Sequence, residues 1–463
     1  MLPLLLFALV CLILLAGFPV AFTLAGVSLI FAAIVSLFGG FDLYLLETIP
    51  NRLYGVMTNA TLIAVPLFIF MGVIMEKSKV AEDLLTSMAK LFGRMKSGLG
   101  LSVVIVGALL AASTGIVGAT VIAMGLISLP AMLKRGYPQE ISTGLICATG
   151  TLGQIIPPSI ALVILGDVLS SAYQQSQLSL GNFAAKTISV GDLFIGALVP
   201  GLLMSAVFAV YVLVISALKP ELAPELKPEL SGSGHPLQLV QSVLPPIALI
   251  VAVLGSIFFG IATPTEAGVI GAVGAMVLAG LNGGFSRQQL SNVCESTMRT
   301  TAMVMAILMG STAFSLVFRG VGGDQLISDL LLNLPGGRVG FLVFSMLIIF
   351  LLGFFIDFFE IAFIAVPLLL PAARQLLGPE ALVWFGVMIG ANLQTSFLTP
   401  PFGFALFYLR GVAPDEVSTR DIYRGALPFV GLQVAVLALI IAVPGLVDWL
   451  PRVAGALSPG PMT

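Results

Sequence analysis

The sequence predicts an all-α polytopic membrane protein of two inverted repeats, each holding a re-entrant hairpin and an interrupted helix. Three observations carry that prediction. Of 463 residues, 58% are hydrophobic and only 9% charged, whereas a soluble domain carries about 25% charged residues. Apolar runs long enough to cross a ~30 Å hydrocarbon layer recur from end to end. Finally, a small polar run ends in a double proline once per half: Thr149 to Pro157-Pro158, and Asn392 to Pro400-Pro401. Successive prolines remove donors and crowd the preceding turn, so Pro157, Pro158, Pro400 and Pro401 are read as helix breaks. Paired breaks in two apolar halves point to the binding site of a secondary transporter.

The elements follow in order. The run 2–17 lacks a basic start and reads as a first membrane helix, not a cleaved leader. A span at 19–38 follows, then an amphipathic arm at 42–59, a span at 61–76 and a second arm at 77–94. The apolar pieces 98–112 and 113–130 suit a hairpin, 139–170 an interrupted helix and 191–218 a closing helix, with Ser170–Ser189 as an exposed loop. The first repeat is thus 1–218, with scaffold and arms over 1–97 and hairpin plus interrupted helix over 98–170. A Pro-rich hydrophilic stretch marks a linker at 219–242. The second repeat, 243–450, has spans at 243–260, 264–281 and 299–318, with arms at 284–298 and 324–334. Its scaffold and arms cover 243–337. Its hairpin (338–356 with 357–371) and interrupted helix (379–410) cover 338–410, before a final helix at 424–450 and a tail at 451–463. Glu266, in Thr263-Pro-Thr-Glu, is read as a cap for the helix that starts there.

Charge and composition narrow the function. A net charge of -2 argues against a nucleic-acid partner. Three scattered cysteines suggest neither a disulfide framework nor a metal cluster, and a single histidine removes zinc-protease chemistry. Position 164 is Ile, so the Gly-x-Gly-Asp pattern of membrane aspartyl proteases is absent before Asp167. The reading is a carrier in a lipid bilayer, not an enzyme, with no cofactor. Basic residues at 77, 79, 90, 94, 96, 134 and 135 place those turns on the cytoplasmic side and the 42–59 arm outside.

Four segments carry a family resemblance: Ala111 to Thr120, Gly153 to Ser159, Gly260 to Ala267, and Ala365 to Pro371. Together they resemble the large membrane subunit (DctM-like) of tripartite ATP-independent periplasmic, or TRAP, transporters. The resemblance implies an elevator-type carrier in the bacterial inner membrane that moves a small organic acid inward with sodium. It also implies two partners, a small four-helix membrane subunit and a periplasmic substrate-binding protein. A self-sufficient sodium–carboxylate symporter of related architecture is the alternative.

The residues nominate sites for that chemistry. No charge occurs between Ser97 and Leu133. Ser113, Thr114, Gly115, Thr149, Gly150 and Gly153 supply hydroxyls and flexible backbone for a first sodium site, because hard cations take oxygen ligands. Asn392, Gln394, Thr395, Ser396 and Thr399 place five polar side chains within eight apolar-context positions. Such groups are costly in a membrane unless they face a cavity or a partner. Asn392, Gln394, Thr395 and Thr399, with Asp357, are assigned to a second sodium site or to the substrate. Glu360 and Asp167 are candidate coupling or cavity carboxylates, with Arg319 a possible partner for the Asp357–Glu360 pair. Arg319, Arg338, Arg374 and Arg410 are the basic residues that could meet a substrate carboxylate. Sodium is the only metal expected.

Overall fold

A computed structural model describes the chain except residues 79, 93–94, 96, 180–187, 220–235, 284–285 and 458–463. Helices account for its architecture, and no strand occurs among the described residues. The first half contains α1 (Leu2–Leu15), α2 (Val20–Ser36), α3 (Ile49–Met57), α4 (Ala64–Lys77), α5 (Val80–Leu91), α6 (Gly98–Thr114), α7 (Val117–Lys134), α8 (Gln139–Thr151), α9 (Ile160–Ser179) and α10 (Val190–Leu218). The second contains α11 (Pro236–Phe258), α12 (Pro264–Leu281), α13 (Arg287–Gly320), α14 (Gly323–Leu332), α15 (Gly337–Leu352), α16 (Phe358–Glu360), α17 (Val366–Leu377), α18 (Leu382–Leu398), α19 (Phe404–Val412), α20 (Thr419–Ala442) and α21 (Gly445–Leu457). Among the described residues, eight helices are long and apolar enough to cross a membrane.

Local sequence explains the helix starts. Thr263 and Glu266 form a reciprocal cap at the start of α12, as expected of Glu266. Ser189 with Asp192, Ser286 with Gln289 and Ser418 with Asp421 do the same for α10, α13 and α20.

Two packed groups emerge. The hairpin α6–α7 packs on α8, α15 packs on α18, and the return arm α17 meets both α9 and α14. Helix α20 lies against α8 and α18, tying the two interrupted helices together. A Cβ at Gly144 would stand 2.0 Å from the Gly425 carbonyl oxygen, so α8 and α20 touch backbone to backbone. Close approach at small residues is how membrane helices associate without a hydrophobic driving force. The other group centres on α13, which packs on α2 and α4, while α12 packs on α4. Large apolar side chains such as Phe22, 77% exposed, and Val339, 67% exposed, face outward, as a lipid-facing surface requires.

Several expected boundaries shift. The arm at 284–298 and the span at 299–318 form one 34-residue helix, α13, because no proline interrupts them. The linker assigned to 219–242 ends earlier, since α11 starts at Pro236, a residue suited to a first helical position. Its core, 220–235, lies outside the described residues. Helix α9 runs to Ser179, into the loop expected at 170–189, whose residues 180–187 also lie outside the described set. The final helix begins at Thr419 and stops at Ala442 ahead of Pro444, and α21 then occupies much of the expected tail. Of the basic residues used for orientation, 79, 94 and 96 are outside the described set.

Candidate functional site

Both double prolines interrupt helices, at 152–159 between α8 and α9 and at 399–403 between α18 and α19. The Pro157–Pro158 and Pro400–Pro401 peptide bonds are both cis. A hairpin tip meets each break. In the first half, α6 ends at Gly115 with φ +62°, and the Gly115 N–H donates to the Ala111 carbonyl at 2.9 Å. A Cβ there would stand 2.9 Å from the Ile160 nitrogen. The carbonyl end of α6 therefore faces the amide end of α9, a favourable meeting of helix dipoles. A Cβ at Gly153 would lie 3.3 Å from the Ala111 oxygen, and the Ser159 hydroxyl donates to the Gly153 carbonyl at 2.7 Å. Ser113 donates to the Leu110 carbonyl at 2.9 Å, and the Thr114 and Thr120 hydroxyls share a bond of 2.6 Å.

The structure thus brings Ser113, Thr114, Gly115 and Gly153 together at one junction. It places Thr149 and Gly150 elsewhere. Thr149 sits against Gly107, two turns down α6, with its hydroxyl donating to the Leu145 carbonyl at 2.9 Å. Gly150 accommodates Val121 of α7, at 2.3 Å from an added Cβ.

The second junction is built from different chemistry. A Cβ at Gly353, where α15 ends, would stand 2.1 Å from the Ser396 hydroxyl. Phe355 of this tip packs on Phe402 of the break with ring centroids 5.4 Å apart. Asn392 donates to the Met346 carbonyl at 2.6 Å, joining α18 to α15. Thr395 and Thr399 donate to the Ala391 and Thr395 carbonyls at 3.3 Å and 2.6 Å. Among the described residues, neither amide atom of the fully buried Gln394 is hydrogen-bonded, and the buried amide oxygen of Gln154 at the first break also finds no partner. An orphaned buried polar atom costs about 1–3 kcal/mol. Hydroxyl and carbonyl oxygens surround both breaks, with the Asp357 and Glu360 carboxylates close behind the second tip, and oxygen ligands of that kind fit a hard cation.

Asp357 and Glu360 do not simply share an open helix face. Asp357 precedes α16 and accepts from the Phe358 N–H at 2.7 Å, while Glu360 accepts from the Asp357 N–H at 2.5 Å. Arg319 does not serve them; it pairs with Asp324 at 3.1 Å.

A cleft of about 650 Å³ opens between the two groups, lined by α3, α9, α13, α14 and α17. It gathers Arg52, Arg319 and Arg374 with Asp167, Asp324 and Asp329. Asp167 accepts from the Asn59 side chain at 2.9 Å. Neither Arg52 nor Arg374 has a carboxylate within ion-pair distance among the described residues. Arg338 and Arg410 lie elsewhere. Arg52 was not among the nominated residues; its one signal is being the only basic residue in the 42–59 arm.

Residues 7–446 match the family described as the DctM component of the tripartite ATP-independent periplasmic transporter. The chain is 29% identical to the C4-dicarboxylate TRAP transporter large permease protein DctM of Vibrio cholerae, across 96% of this chain and 97% of that one. It is 28% identical to the ectoine TRAP transporter large permease protein TeaC of Halomonas elongata, across 93% and 95%. The fold resembles the solved YdaH transporter of Alcanivorax borkumensis at a TM-score of 0.61 and 14% identity, covering 96% of this chain and 98% of that one.

Proposed function

The chain belongs to the DctM family of TRAP transporter large permeases, and from that premise we propose that it imports a small organic anion, coupled to sodium, through the arginine-lined cleft. The observation that supports this reading is a pair of guanidiniums, Arg52 of α3 and Arg374 of α17, that line one cavity with no carboxylate at ion-pair distance among the described residues. A guanidinium presents parallel donors that match a carboxylate fork. Arg319 is already neutralised by Asp324 and positions the wall rather than the charge. With the basic turns on the cytoplasmic side, the cleft opens outward, next to the arm that carries Arg52.

Sodium is assigned to the two junctions of tip and break. The carbonyl ends of α6 and α8, with Ser113, Thr114, Gly115 and Gly153, would hold one ion. Thr395 and Thr399, with the unsatisfied Gln394, would hold the other. Bound sodium would stabilise the closed contact of each tip with its break and so link ion occupancy to the cleft wall formed by α9 and α17.

The reading divides the protein into a moving unit, the hairpins with their interrupted helices, and a scaffold around α2, α4 and α13, which suits an elevator motion. Delivery by a periplasmic binding protein, assembly with a small four-helix membrane subunit and residence in the bacterial inner membrane belong to the same proposal. The test is uptake by proteoliposomes holding this chain and the two partner proteins, with and without a sodium gradient. Accumulation that requires sodium supports it; equal accumulation at zero sodium refutes the coupling.

A further inference from the structure

A second cavity, of about 600 Å³, lies away from the cleft, between α15, α18 and the end of α20. Its walls are mainly apolar, with Asn392 and Thr395 of α18 the polar side chains at its inner wall, and Val343 and Leu347 on α15 are 63% and 52% exposed, so the groove opens sideways to the membrane. Arg338 is the only charged residue lining it, and no ion-pair partner is found for Arg338 among the described residues. Its guanidinium lies over the Trp384 ring, 5.6 Å from the centroid. The ring is itself fixed, because its indole N–H donates to the Ile440 carbonyl at 2.9 Å.

The three helix ends that frame Arg338 are the start of α15, the start of α18 and the end of α20 at Ala442. One end of the groove therefore sits at a membrane face. From Arg338 the groove follows α15 to Phe350, about 18 Å at 1.5 Å per residue. That matches the depth of one leaflet, half of a ~30 Å hydrocarbon layer. A cationic mouth at the interface above a leaflet-deep apolar trough is complementary to a single anionic lipid.

We propose that this groove seats an anionic phospholipid, its phosphate at Arg338 and an acyl chain along α15 and α20. The chain would lie against Met346, whose carbonyl accepts the Asn392 amide at 2.6 Å. Occupancy therefore braces the arm of the second hairpin against its interrupted helix.

Native mass spectrometry of the full-length chain in detergent, titrated with phosphatidylglycerol or phosphatidylcholine, tests this. The wild-type chain should retain phosphatidylglycerol in preference. R338Q should lower that retention about fivefold, the effect of one basic residue at an anionic headgroup, and leave phosphatidylcholine unchanged. V343W, which fills an exposed wall position, should lower retention of both lipids while eluting as the wild type does. Equal phosphatidylglycerol retention by wild type and R338Q overturns the proposal. So does crosslinking of a V343C variant in membranes to a protein partner, which would assign the groove to a transmembrane helix.

Discussion

Gly115→Ala tests whether the first tip and break act as one ion-binding unit, and Gly260→Ala supplies its control. Both glycines are left-handed, at φ +62° and +66°. An alanine in that region costs about 1–2 kcal/mol whatever surrounds it. At Gly260 nothing lies within 4 Å of the added Cβ, so the backbone term is the whole effect. At Gly115 the same atom meets the Ile160 nitrogen at 2.9 Å, and that backbone cannot swing aside as a side chain can. The α6 end must therefore retreat from α9 by a few tenths of an ångström. Both variants should lose thermal stability, and Gly115→Ala should lose more. Only Gly115→Ala should raise the sodium concentration for half-maximal uptake, by about tenfold, equivalent to ~1.4 kcal/mol of ion binding. The assay is initial uptake in proteoliposomes against external sodium, alongside thermal unfolding of each variant. Identical sodium curves for the two variants would falsify the assignment of the tip to an ion site.

Arg374→Gln and Arg52→Gln should each raise the substrate KM about tenfold to a hundredfold, the range for a charged hydrogen bond of about 1.5–3 kcal/mol. Their sodium dependence should stay unchanged, and a wild-type KM in both would move the substrate out of the cleft. Asp357→Asn keeps an oxygen for the Phe358 N–H, so its stability should match wild type, whereas Asp357→Ala should lose about 1 kcal/mol through the missing cap. If the Asp357 charge also serves coupling, Asn raises the sodium requirement about tenfold; an unchanged sodium curve leaves Asp357 as a cap only.

The breaks, the hairpins and the Glu266 cap were legible because each rests on local rules: proline geometry, an uncharged apolar run, and a Thr-x-x-Glu spacing. What depends on side-chain direction was not. Thr149 and Gly150 stand in the same polar run as Gly153, yet the helical turn sets them against α6 and α7 while Gly153 meets the tip. Arg319 met a carboxylate five residues away, Asp324, instead of the distant acid pair, because α14 folds back just after α13 ends. The cleft itself was invisible in one dimension, since Arg52 and Arg374 come from opposite halves of the chain. The stretch 284–298 reads as a separate arm until the absence of a proline between it and the following span is given equal weight with composition.

The length of α13 has a geometric consequence. Thirty-four residues make a rod of about 51 Å, and fitting it inside a ~30 Å layer would need a tilt of roughly 54°, beyond the 0–40° seen for membrane helices. Its first turns must stand clear of the bilayer as a rigid mast, steadied where the Lys77 ammonium donates to the Asn292 carbonyl at 3.2 Å. Cys294 is exposed on that mast, while Cys147 is buried and Cys11 half-buried. A spin label placed there would report distances from that post to any hairpin residue, and unchanged distances with and without sodium would count against the proposed elevator motion.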